Sequence, residues 1–246
     1  MAAPERRAAW PRAGHSPDRS RRCRGTCRRK TATSNTSFGP WRGRPWTTNG
    51  YFCDLDAVVG DGDFGYSLAR GFEIVLADWD RLDRTTPAQF LKRVALIISQ
   101  RVGGTSGPLR GTAFLRAASA VNDRAALAGL TARDTVAMLR AAIEGITVRG
   151  KSDLGDKTLL DALIPMTDAL ERQVDGAAAV PARTPAELAR VAASAARAAA
   201  DATTAMQAMH GRPSYTGERS VGSPDAGAVA VAVMAERVAD AWPGRT

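Results

Sequence analysis

Histidine, cysteine and long apolar runs are all scarce in this 246-residue chain. Only His15 and His210 are present, and neither lies near a serine or cysteine in a triad-like context, which argues against triad hydrolysis. The three cysteines, Cys23, Cys27 and Cys53, are too few to staple a chain of this size and point to a reducing, cytoplasmic setting. Cys23 and Cys27 also lack a second Cys/His pair at zinc spacing. No apolar stretch approaches the ~18 residues of a membrane-spanning helix. No pair of alternating runs flanks a hairpin turn, so β structure is not expected, and no internal repeat is evident. What remains is a globular composition, 44% hydrophobic and 24% charged.

The net charge of +9 suggests nucleic acid as a partner, but its distribution argues otherwise. Residues 1–53 hold 12 of the 34 Lys and Arg, and only Glu5 and Asp18 among the 25 acids. The remainder is nearly neutral, so neither a nucleic-acid nor a membrane partner is expected for it. The first 53 residues have no apolar period of 3.6 or 2 and are rich in Arg, Ser, Thr, Pro and Gly. They read as a basic, poorly packed extension. An anion-binding arm, an organelle transit peptide and an out-of-frame reading of GC-rich DNA are the competing accounts. The boundary with the folded body is placed at residue 54.

The body reads as helices over 67–82, 86–101, 107–121, 131–147, 157–174, 184–209 and 225–242. Thr86 and Pro87 make a start signal, as do Pro185 and Glu187. Phe90, Val94, Ile97 and Ile98 share one helical face, and alanine favours helix and close helix contact in several segments. The expected class is all-α, an antiparallel helix bundle.

The chemistry lies in the joins between helices. Residues 55–65, LDAVVGDGDFG, bring three carboxylates (Asp56, Asp61 and Asp63) within eight residues among glycines. Converging carboxylates repel unless a cation sits between them, and hard oxygen donors suit Mg²⁺ or Ca²⁺. The EF-hand ligand ladder is missing, and a solvated acidic turn is the plain alternative. Residues 103–112, GGTSGPLRGT, open a helix with glycines and hydroxyls, a pattern suited to phosphate oxygens. A capped turn on Ser106 is the alternative there. Residues 149–158, RGKSDLGDKT, come close to a Walker loop, but Asp156 intrudes and no strand precedes it, so that reading is rejected. Residues 211–227 form a long join holding Arg212 and Arg219, both able to pair with phosphate. His210 reads as the cation ending the preceding helix.

These four blocks, LDAVVGDGDFG, GGTSGPLRGT, RGKSDLGDKTLLDAL and GRPSYTGERSVGSPDAGA, resemble in order and spacing the nucleotide-binding L subunit of dihydroxyacetone kinases. The resemblance runs from about Asp54 to the C-terminus. It implies a barrel of about eight helices, hence one more helix before Asp54, for which the Arg-rich extension offers no amphipathic sequence. It implies that Asp56, Asp61 and Asp63 ligate Mg²⁺. It places Phe64, Gly65, Tyr66, Ser67, Thr105 and Ser106 around the phosphates of ADP or ATP. Gly150, Leu159, Arg212, Asp225, Ala226 and Gly227 complete the nucleotide site. The implied reaction is phosphoryl transfer to dihydroxyacetone, or a similar small hydroxy-ketone, held by a separate K-type subunit. A phosphocarrier subunit is the other implied partner, and a homodimer the oligomer considered. Phe64 and Ser67 depart from the family's usual His and Asn, which removes one hydrogen-bond donor to phosphate and shortens another. A nucleotide-binding regulatory or fatty-acid-kinase-like module, without that kinase activity, is the alternative reading.

Overall fold

The computed structural model describes residues 47–176 and 183–242. They contain eight α-helices and, among the described residues, no strand. The helices are α1 (Thr47–Asp56), α2 (Phe64–Ala77), α3 (Pro87–Arg101), α4 (Ser106–Ala120), α5 (Ala132–Gly150), α6 (Leu160–Asp175), α7 (Pro185–Ala202) and α8 (Ala226–Ala241). Each helix packs against the next, and α1 also meets α8. With short joins between neighbours, this is an up-and-down ring of antiparallel helices closed on itself. Among the described residues, no helix is long and apolar enough to cross a membrane.

The expected boundary at residue 54 needs correction. Helix α1 starts at Thr47, and Phe52 and Cys53 are buried. Tyr51, Phe52 and Leu55 face the core, and the Phe52 ring stands edge-on to Phe64 at 6.0 Å. So short a helix carries too few apolar residues to display a period, yet it supplies the segment that closes the ring. The rest of the expected basic extension lies outside the described residues.

Local sequence explains most helix starts. Thr86 accepts a hydrogen bond from the Gln89 N–H ahead of α3, with Pro87 as the first helical residue. Thr131 and Asp134 form a reciprocal capping box on α5, and Thr184 and Glu187 do the same on α7. Helix α7 buries Ala189, Ala192, Ala193, Ala196 and Ala200, a stripe of small residues that lets α6 and α8 approach closely. Arg197 adds a two-pronged bond to Glu236 (2.7 and 2.9 Å) that ties α7 to α8.

The expected helix over 184–209 overran. The chain leaves the α-helix at Ala202 and tightens into a 3-10 turn at Thr203–Ala205. The Thr203 hydroxyl donates to the Ala200 carbonyl (2.6 Å) and accepts the Asp225 N–H (2.8 Å), which fixes the exit. Further along the long final join, Arg212–Ser220 forms 3-10 turns broken by a kink at Gly217.

An up-and-down ring has two ends, and its joins alternate between them. The joins α1–α2, α3–α4, α5–α6 and α7–α8 fall at one end. They are the four segments singled out above. Of the other joins, α4–α5 lines an apolar cavity of about 720 Å³ with Leu127 and Leu130, and Leu139, Met166, Leu170 and Met234 line it from the helices.

Candidate functional site

Alternation has an electrostatic consequence. Helices α2, α4, α6 and α8 all begin at the end that carries the four joins. Each helix N-terminus presents unpaired N–H groups and about half a positive charge. For α2, α4 and α6 the residue before the first turn, Asp63, Thr105 and Leu159 respectively, makes no side-chain cap hydrogen bond. At α6 the Thr158 hydroxyl accepts the Leu160 N–H instead (3.2 Å), so two uncapped helix starts, those of α2 and α4, face one space, an arrangement suited to anions.

That space is a cavity of about 660 Å³ formed by all four joins. Asp56, Asp61, Asp63, Phe64 and Ser67 line it from the first join, and Thr105 and Ser106 from the second. Gly150 and Leu159 line it from the third, and Arg212, Asp225, Ala226 and Gly227 from the fourth. Gly65 and Tyr66 do not. Gly65 is buried against the Asn49 carbonyl of α1, with no room for a β-carbon, and the Tyr66 side chain is exposed.

The first join holds the acids. One carboxylate oxygen from each of Asp56, Asp61 and Asp63 lies within 4.8 Å of the others. Gly62 adopts φ 72°, a conformation cheap only for glycine, and its N–H donates to Asp56 Oδ2 at 2.9 Å. This turn folds the loop back so that Asp61 and Asp63 meet the end of α1. Arg212, reaching from the fourth join, forms an ion pair with Asp61. One guanidinium against three clustered carboxylates leaves a site of hard oxygen donors with residual negative charge, which fits a divalent cation such as Mg²⁺.

The third and fourth joins are stitched together. Asp161 accepts the N–H groups of Gly155 and Thr158, both at 2.6 Å. Lys157, at a left-handed φ of 58°, is buried and donates its Nζ to the carbonyls of Met206 (3.0 Å) and Ser220. It thus holds the fourth join in place while also lining the cavity. His210 does not end a helix, contrary to expectation. It lies beyond α7, lines the cavity and pairs with Asp156 at 3.0 Å.

Three ionisable groups of the cavity lining, Asp225, Lys157 and Arg110, are perturbed mainly by burial. Burial pushes the Asp225 carboxyl up to about 6, although its bond from the Ala228 N–H and the nearby Lys157 and Arg110 work against this. Burial lowers Lys157 and brings Arg110 down to about 10, while Asp225 pulls both back up. The sequence reading missed Arg110 altogether. It sits on α4 one turn after Ser106, inside a block already marked for phosphate.

A profile described as the DAK2 domain matches residues 58–240 of this chain. The chain belongs to the DAK2 domain family. Within it, the chain is 37% identical over 193 residues to the PEP-dependent dihydroxyacetone kinase, ADP-binding subunit DhaL, of Escherichia coli (strain K12), covering 78% of this chain and 88% of that protein. It is 33% identical to the PEP-dependent dihydroxyacetone kinase 1, ADP-binding subunit DhaL, of Listeria innocua, covering 74% of this chain and 81% of that one. Its fold is similar to the crystal structure of the dihydroxyacetone kinase of C. freundii, with a TM-score of 0.60 at 21% identity. That match covers 86% of this chain but only 38% of the longer solved chain. The DAK2 membership accounts for the ring of helices and for the four blocks at one end of it.

Proposed function

We propose that this DAK2 chain is the Mg-nucleotide-binding subunit of a dihydroxyacetone kinase. It would pass a phosphoryl group from its bound nucleotide to dihydroxyacetone, or a similar small hydroxy-ketone, held by a separate K-type subunit. The relatives named as ADP-binding DhaL subunits support this reading. The observation that carries it is the meeting of two uncapped helix N-termini, those of α2 and α4, and three carboxylates in one cavity. Phosphoryl transfer needs positioning and charge neutralisation more than covalent chemistry.

Asp56, Asp61 and Asp63 would hold Mg²⁺, which supplies neutralisation of charge on the phosphate oxygens. Thr105, Ser106 and the first turn of α4 donate hydrogen bonds to phosphate, and Ser67 adds a hydroxyl from α2. Gly150 and Leu159, with the Asp225–Ala226–Gly227 turn, shape the wall for the nucleoside. Arg212 bridges Asp61 and the fourth join, so closing of that join is coupled to the carboxylate group. Rephosphorylation of bound ADP by a phosphocarrier subunit and a homodimeric state belong to the same proposal, on the family resemblance alone.

Calorimetric titration with ADP in the presence and absence of Mg²⁺ tests it. The Asp63 side chain makes no hydrogen bond to any described residue, so Asp63→Asn removes a ligand without removing a structural contact. Binding should require Mg²⁺ and weaken by roughly tenfold or more in the variant, the loss of a contact worth ~1.4 kcal/mol or above. Equal affinity in both proteins overturns the reading. Mg-dependent binding with no turnover beside a K-type subunit would instead favour the regulatory module.

A further inference from the structure

Of the arginines lining the cavity, Arg212 pairs with Asp61 and Arg149 donates to the Thr112 hydroxyl, whereas the Arg110 side chain makes no hydrogen bond or ion pair among the described residues. It lines the cavity, and its Nε is sealed from solvent with no hydrogen-bond partner. No carboxylate lies within ion-pair distance of it among the described residues. Its guanidinium carbon lies over the Phe64 ring, 5.1 Å from the centroid. Phe64 belongs to the first turn of α2, so this contact ties Arg110 to the helix that follows the acidic join. On its own helix, Arg110 stands four residues after Ser106, on the same face as the uncapped start of α4.

A buried guanidinium with an unmet donor is costly unless an anion completes it. The surroundings do not supply that anion. Asp225, the nearby acid that influences it, stands beyond ion-pair distance and accepts the Ala228 N–H on Oδ2, and Asp161 spends both oxygens on the third join. The aromatic contact helps hold the planar fork, whose shape favours two-pronged contact with phosphate. Arg110 lines the same cavity as the three carboxylates and the starts of α2 and α4, so a phosphate of a nucleotide bound there is the anion suited to complete it.

We propose that Arg110 is a phosphate-recognition residue of this subunit, gripping the terminal phosphate of a nucleoside diphosphate and setting the preference for ADP over AMP. The inference rests on the nucleotide reading above. The test is calorimetry of the full chain with Mg-ADP and with AMP, for the wild type and Arg110→Met. Loss of one charge-assisted contact should weaken Mg-ADP by about 10- to 100-fold and leave AMP unchanged. Parallel loss of both nucleotides, or loss of neither, overturns it.

A measurement on the wild type guards against a variant that fails to fold. Phenylglyoxal modification mapped by mass spectrometry should label Arg110 in the free protein, with Mg-ADP protecting it and AMP failing to. Labelling unaffected by Mg-ADP overturns the inference, and so does an Arg110 that never reacts, since it would then be shut off from the cavity. A wild type that ignores Mg-ADP overturns the nucleotide reading as well. A wild type that binds Mg-ADP and loses it in Asp63→Asn, yet keeps it in Arg110→Met, overturns only the role given to Arg110.

Discussion

Asp225 offers a direct measure of how strongly burial perturbs the cavity lining. Its carboxyl is raised by burial from an ordinary 3.8 to about 6. The folded protein therefore binds more protons than the unfolded chain between these two values, and stability must fall as pH rises through that window. At about 1.4 kcal/mol per pH unit, the difference amounts to about 3 kcal/mol, fully expressed above about pH 6. Asp225→Asn removes the titration but keeps an oxygen to accept the Ala228 N–H, since Asn caps helices as well as Asp does. Urea unfolding without nucleotide or Mg²⁺, at intervals from about pH 4 to about pH 7, gives the stability of each protein. The gap between the two curves should shift by about 3 kcal/mol in favour of the variant as pH rises. Curves that run parallel across this range would refute the reasoning, because they would mean that the Asp225 carboxylate is as well solvated in the fold as outside it.

Other outcomes follow from the packing and the caps. Gly65→Ala would drive a methyl group against the Asn49 carbonyl and Cys53 Sγ, forcing α1 off α2 at a cost of about 1–3 kcal/mol. Because α1 ends at Asp56, Mg²⁺ affinity should fall with the urea midpoint, and an unchanged midpoint would count against the close contact. Asp134 is held down to about 2 chiefly by its bond from Arg124, then by the N–H and hydroxyl of Thr131. A depressed carboxyl stabilises the fold above its ordinary value near 3.8 and loses that effect as pH falls towards about 2. Asp134→Ala should lower the melting temperature at neutral pH, with the deficit shrinking as pH drops through this range.

The site was largely legible in the sequence because its parts are contiguous. A loop that must turn sharply and present carboxylates or N–H groups needs Gly, Asp, Ser and Thr close together. Asp56 to Gly65 and Gly103 to Thr112 show this openly. Arg110 was not legible, since an arginine in an amphipathic helix reads as a solvated cation until its contact with Phe64 is seen. The overrun of the helix over 184–209 has a similar origin: Met206 and Met209 continue an apolar period, and only the hydroxyl of Thr203, bonded across to Asp225, shows why the helix stops. Helix α1 was anticipated only by the family resemblance, because Tyr51, Phe52 and Leu55 follow a strongly basic run and are too few to declare a face. The closure of α1 on α8 is a long-range fact that no local window contains.

The alternation of joins divides labour along the barrel axis. Residues 78–86 and 121–131 connect the same helices that build the cavity, yet they turn at the opposite pole. A peptide tag or reporter domain spliced into either would sit roughly a helix length from the carboxylates, about 20 Å for α4 at 1.5 Å per residue. The protein can thus be lengthened, labelled or tethered at one pole while the other keeps its geometry.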